Sequence, residues 1–104
     1  VKEVKIEAED LDEMKFILDI LFRKGEDVYI GYTTQCSGAI CLYLIYIFGV
    51  PDKLGYPIRA TYKAGICHYI YAGCKPIEEG VKKQYNELAN YAKTHGLAVW
   101  GKET

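Results

Sequence analysis

Residues 1–8 alternate, with Val4, Ile6 and Ala8 set against Lys5 and Glu7, which is the period of a strand buried on one face. Asp10 followed by Glu13 forms an N-cap and capping-box pair. Behind it come Leu11, Met14, Ile17, Leu18, Leu21 and Phe22 at helical spacing, and Lys24-Gly25 supplies the cation and glycine of a helix end. The spacing therefore predicts a helix over residues 11–24. From Asp27 the period returns to two: Val28, Ile30 and Tyr32 alternate with Tyr29, Gly31 and Thr33 in a β-branched and aromatic run. A turn is expected at residues 35–38, and residues 39–48 read as a second, more apolar strand with the composition of one buried on both faces.

Gly49-Val50-Pro51-Asp52 breaks that strand, and Pro57 marks another turn. Residues 58–72 read as extended, with a break at Lys63-Ala64-Gly65 and the clearest strand character at residues 66–71. Pro76, Glu78 and Glu79 then open a second helix, because proline suits a first turn and carboxylates suit the positive end of the dipole. Its apolar stripe is Ile77, Val81, Tyr85, Leu88, Tyr91 and Ala92, and His95-Gly96 closes it. A further strand begins at residues 97–100.

The order is strand, helix, strand, strand, then strand, helix, strand. It has the form of one four-element unit repeated, with the last strand of the second copy missing, so the chain is expected to be incomplete at its C-terminal end. The fold class expected is α+β: two such modules forming an antiparallel sheet with two helices packed on it. At 104 residues, half of them apolar and about a quarter charged, residues 1–104 make one domain with one core.

A net charge of −1, with both signs interleaved, lacks the electrostatic footprint of a nucleic-acid backbone binder. The longest apolar run, residues 39–50, falls short of the roughly 18 residues of a membrane span. The N-terminus is charged and has no signal-peptide core, so a cytoplasmic location without membrane contact is expected. Cys36 and Cys41 are five apart and Cys67 and Cys74 seven apart, neither of which is a C-x-x-C spacing. His68 adjoins Cys67 and falls on the opposite face if that segment is a strand. Reduced, buried thiols are the expectation, with a metal or a disulfide as the alternative.

No G-x-S-x-G, H-E-x-x-H, Walker or G-x-G-x-x-G motif is present. No catalytic residue, metal or cofactor is therefore assigned, and His95 reads as a cation at a helix C-terminus. Against that plain background stand ten tyrosines and a single tryptophan. Tyr85 and Tyr91 belong to the apolar stripe of the second helix and read as core. Tyr29, Tyr32, Tyr43, Tyr46, Tyr69 and Tyr71 lie on strands. Tyr43 and Tyr46 differ by three and cannot share a face, whereas Tyr69 and Tyr71 differ by two and must. Tyr32, Tyr43, Tyr46, Tyr69, Tyr71 and Trp100 are the candidate ligand-binding residues, with core packing the competing use of the strand tyrosines. A cationic ligand needs an acidic partner, for which Glu87 and Glu103 are the candidates, Glu87 reading as solvated on an exposed helix face.

Residues 64–101 carry an Ala-Gly turn before a strand, a Gly/Pro turn into an acidic helix start at Glu78 and Glu79, Tyr85-x-x-Leu88, Tyr91, the His95-Gly96 end and a strand closing on Gly101. This stretch resembles the DNA-gyrase-inhibitor-like small-molecule-binding domains, which serve as effector-binding domains of MerR-type and AraC-type multidrug regulators. That family is built from two strand-helix-strand-strand modules; the turn before the second helix here carries an extra residue, and the family's final strand is absent. The resemblance implies a sensor for hydrophobic or cationic small molecules, able to form a homodimer, with DNA bound only through a separate domain. The competing readings are a small hydrolase acting on a lipophilic ligand and a free-standing protein-interaction or inhibitor module.

Overall fold

The computed structural model describes residues 2–50, 55–68 and 75–103, with Lys102 and Glu103 described by backbone alone. Its elements run β1 (Val4–Ala8), α1 (Leu11–Lys24), β2 (Val28–Ser37), β3 (Ile40–Gly49), β4 (Ile58–His68), α2 (Lys75–Thr94) and β5 (Val99–Glu103). The architecture is α+β, with both helices packed on a five-stranded sheet of order β1-β4-β3-β2-β5.

Helix α1 begins and ends where its capping residues dictate. Asp10 accepts a hydrogen bond from the Glu13 amide at 2.8 Å, and Gly25 adopts the left-handed conformation at φ 69°. That geometry lets the amides of Gly25 and Glu26 donate to the carbonyls of Phe22 and Leu21. At the far end of the chain Gly96 repeats the device at φ 79°, and the Leu97 amide donates to the Ala92 carbonyl to turn the chain into β5.

The strand pairings are mixed, where a wholly antiparallel sheet was expected. β2 with β3 and β3 with β4 are antiparallel, but β1 pairs with β4 in parallel and β5 with β2 in parallel. The reason lies in the connections. Each helix carries the chain back along the sheet, so the strands before and after it point the same way. The two strand-helix-strand units interlock, placing β1 and β5 at opposite edges and the β3 strand at the centre.

The antiparallel hairpin turns at Gly38 and Ala39, later than the expected residues 35–38. Gly38 supplies φ 61° at the first of two central positions, the positive value that primed hairpin turns require. Ser37 thus pairs with Ile40 and Cys36 with Cys41. This register overturns the expectation of reduced thiols: Cys36 and Cys41, their Cα atoms 4.1 Å apart, are joined in a disulfide, and Cys67 is disulfide-bonded as well. Two cysteines across a two-residue turn fall directly opposite each other, which their spacing in sequence conceals until the turn is placed.

The break read at Lys63-Ala64-Gly65 is a β-bulge. Lys63 pairs with Leu44 and Gly65 with Tyr43, so Ala64 is the extra residue. The core lies between one face of the sheet and the helices. Met14, Leu18 and Leu21 of α1 and Val81, Leu88 and Ala92 of α2 meet Val28, Ile30, Ile45, Ile47 and Ala60 with almost no exposure. Full burial of one such aliphatic side chain contributes about 1.5–3 kcal/mol. The helices are also pinned to each other. The Lys15 ammonium meets Glu87 Oε1 at 2.8 Å, and the Tyr91 hydroxyl donates to Asp19 Oδ1 at 3.0 Å. Among the described residues no helix is long and apolar enough to cross a membrane.

Candidate functional site

Alternation along three adjacent strands sorts their side chains between two faces. Cys41, Tyr43, Ile45 and Ile47 of β3 are buried toward the helices, while Leu42, Leu44, Tyr46 and Phe48 are half-exposed on the other side. Register then lines up the second face in rows. Trp100, Tyr29, Phe48, Arg59 and Lys5 stand side by side across all five strands. In the next row Thr61, Tyr46 and Gly31 are neighbours, and Gly31 has no side chain to fill its place.

The result is a hollow of about 600 Å³ on the face away from the helices, lined by Tyr29, Gly31, Thr33, Leu44, Tyr46, Phe48, Arg59, Thr61 and Trp100 with Ile30. A volume of this size falls within the roughly 300–1,000 Å³ of small-molecule sites. Tyr29 and Trp100 stack with ring centroids 4.9 Å apart and planes inclined by 29°. This offset pair forms one wall. On the other side the Arg59 guanidinium lies 5.6 Å from the Phe48 ring centroid and its Nε meets Glu3 Oε1 at 2.9 Å. A second hollow of about 650 Å³ adjoins the first, sharing Leu44 and Thr61 and edged by Glu7, Glu9 and Lys63.

Of the residues singled out from the sequence, Tyr46 and Trp100 line the aromatic hollow. Tyr32 and Tyr43 do not; at 3% and 5% exposure they belong to the core under the helices. Tyr32 packs edge-to-face against Tyr85. Burial raises the ionisation of Tyr43 and Tyr62 above the ordinary phenol value, with Glu78 and Asp10 adding in the same sense, so both remain neutral. Tyr69 and Tyr71 lie outside the described residues. Glu87 is bound to Lys15 between the helices and faces no part of the hollow, and the Glu103 side chain also lies outside the described residues.

Eight of the ten lining residues were not among the candidates, and of these Tyr29, Phe48 and Arg59 bring the aromatic rings and the charge. The signal for the first two was the hairpin. With the turn at Gly38 and Ala39, Tyr29 falls opposite Phe48 and on the face that Tyr46 occupies. Arg59 follows one strand further, opposite Phe48.

The chemistry of the hollow is that of contact and orientation. Aromatic plates surround it, and its lining residues carry the hydroxyls of Tyr29, Tyr46, Thr33 and Thr61, the Trp100 indole N–H and the Arg59 guanidinium as side-chain polar groups. Among the described residues no three His, Cys, Asp or Glu side chains gather as a metal site. His95, read from the sequence as a cation at a helix C-terminus, sits at the end of α2, its Nδ1 2.8 Å from the Tyr91 carbonyl and its ring tilted against Tyr91. Compared with known proteins, the chain matches no family model, no curated protein and no solved structure.

Proposed function

We propose that the protein binds flat, hydrophobic small molecules on the face of its sheet away from the helices. The observation that carries this reading is the row of Trp100, Tyr29 and Phe48 beside Tyr46, arranged around a hollow at Gly31. A soluble sheet face of this kind is costly to leave bare, since contiguous exposed apolar surface favours association. A planar ligand removes that surface from water. Each stacked or edge-on ring contact contributes about 0.5–1.5 kcal/mol beyond the area buried, so four rings supply about 2–6 kcal/mol of the roughly 8 kcal/mol that micromolar affinity requires, and burial of the ligand's apolar area supplies the rest. The resemblance of residues 64–101 to effector-binding domains supports using this binding as the sensor part of a transcription regulator. A ligand that binds one arrangement better shifts the regulator toward it by that difference in affinity.

The test uses Trp100, the sole tryptophan and 45% exposed, as an internal reporter. Titration with planar aromatic dyes is expected to quench its fluorescence saturably in the micromolar range, and Tyr46→Ala is expected to weaken that binding. Linear, non-saturating quenching identical in both proteins would rule the reading out. Recovery of the dye with its mass unchanged after incubation separates a sensor from a hydrolase.

A further inference from the structure

A carboxylate favours a cationic ligand, and among the described residues that line the aromatic hollow there is none; the one that carries a charge is Arg59. The two ends of that guanidinium are in different circumstances. Nε is engaged with Glu3 Oε1, and the guanidinium carbon lies 5.6 Å from the Phe48 ring centroid; among the described residues the ion pair is made through Nε and not through the two terminal nitrogens. Those terminal nitrogens form the fork that fits a carboxylate with two parallel hydrogen bonds. Lys5, opposite Arg59 in the β1–β4 pairing, adds a second positive charge at the same end of the row. The Thr61 hydroxyl lines the hollow one row further on.

Resting on the reading of the hollow as a small-molecule site, we infer that its ligand is a planar aromatic acid. The ring system lies on Tyr29, Trp100 and Tyr46, and the carboxylate meets the Arg59 guanidinium at the edge of Phe48. Glu3 does not cancel this preference. It takes the Nε side of the guanidinium, and its own charge is shared with an Arg59 side chain that remains 49% exposed. The adjoining hollow beyond Thr61 is edged by Glu7, Glu9 and Lys63, a net negative rim that disfavours an acid on that side.

The experiment compares three molecules of one shape by isothermal titration calorimetry: naphthalene-2-carboxylate, naphthalene-2-carboxamide and 2-naphthylmethylammonium. The carboxylate is expected to bind at least about tenfold tighter than the amide, which corresponds to about 1.4 kcal/mol, and the ammonium more weakly than both. Arg59→Gln is expected to bring carboxylate and amide to within about twofold of each other. Arg59→Lys retains only part of the preference, because a point charge replaces the fork. An ammonium that binds as well as the carboxylate, or a carboxylate preference that survives Arg59→Gln, overturns the assignment of an acid while the hollow stands as a site. If none of the three binds, the hollow itself is not a small-molecule site and the inference falls with it. Arg59 is half-exposed, so its replacement is expected to leave the fold intact, which an unchanged melting temperature checks for each variant.

Discussion

Tyr43 and Tyr46 lie three residues apart on the central strand and face opposite sides of the sheet, so the same substitution at each has opposite consequences. Tyr43 is 5% exposed and packed under the helices. Tyr43→Ala leaves a cavity in a close-packed interior, and truncating a buried aromatic costs about 3–5 kcal/mol, a polar hydroxyl placing tyrosine at the low end. For a domain of this length each kcal/mol moves the melting temperature by about 4–8 °C, so a fall of roughly 12–24 °C is expected. Tyr46 borders the hollow and is half-exposed. Tyr46→Ala opens no closed cavity and is expected to cost about 1 kcal/mol or less. It removes one ring contact from a bound ligand, worth about 0.5–1.5 kcal/mol, which weakens the dissociation constant about two- to tenfold. The assay is differential scanning fluorimetry of both variants, followed by titration with naphthalene-2-carboxylate below the melting temperature of Tyr43→Ala. Equal destabilisation by the two substitutions would refute the assignment of faces. Lost ligand binding in Tyr43→Ala with an unchanged melting temperature would place the site on the helix side instead.

Two further outcomes follow from contacts away from the hollow. The hydrogen bond to Glu87 is the main cause that holds the Lys15 ammonium above its ordinary ionisation, and the hydrogen bond to Asp19 is the main cause that does the same for the Tyr91 phenol. Groups whose ionisation is raised by folding add stability that is complete below the unfolded value and is lost as pH climbs through the folded one. The α1–α2 contact should therefore loosen above about pH 10, seen as a melting temperature that declines on the alkaline side and declines less in Tyr91→Phe; equal decline in both proteins would count against the Asp19 contact as a cause. The Cys36–Cys41 disulfide closes a short loop across the hairpin turn, for which loop-closure entropy gives about 2 kcal/mol. Alanine at both positions should lower the melting temperature by roughly 8–16 °C. A non-reducing peptide map of the native protein in which residues 36 and 41 both carry free thiols would refute the bonded pairing.

What the sequence determined by itself is local. The capping residues Asp10 and Gly25 set both ends of α1 at the residues expected, and Pro76 and Gly96 set the limits of α2. Period-two alternation separated Tyr43 from Tyr46, and the break at Lys63-Ala64-Gly65 was visible as the interruption that became a bulge. These signals are legible because helix caps, turns and alternation depend on residues within a few positions of one another. The tertiary structure decided everything that depends on strands meeting across the sheet. Which parity faces solvent is settled by where the helices pack, so Tyr32 went to the core although its sequence context matches that of Tyr46. The parallel edges arise from helical crossovers that skip over intervening strands, and the disulfide from a turn two residues long. Arg59 reached the hollow through its pairing with Phe48 on a neighbouring strand. No local pattern records that pairing, because hydrogen-bonded register between strands is a property of their alignment and not of either strand alone.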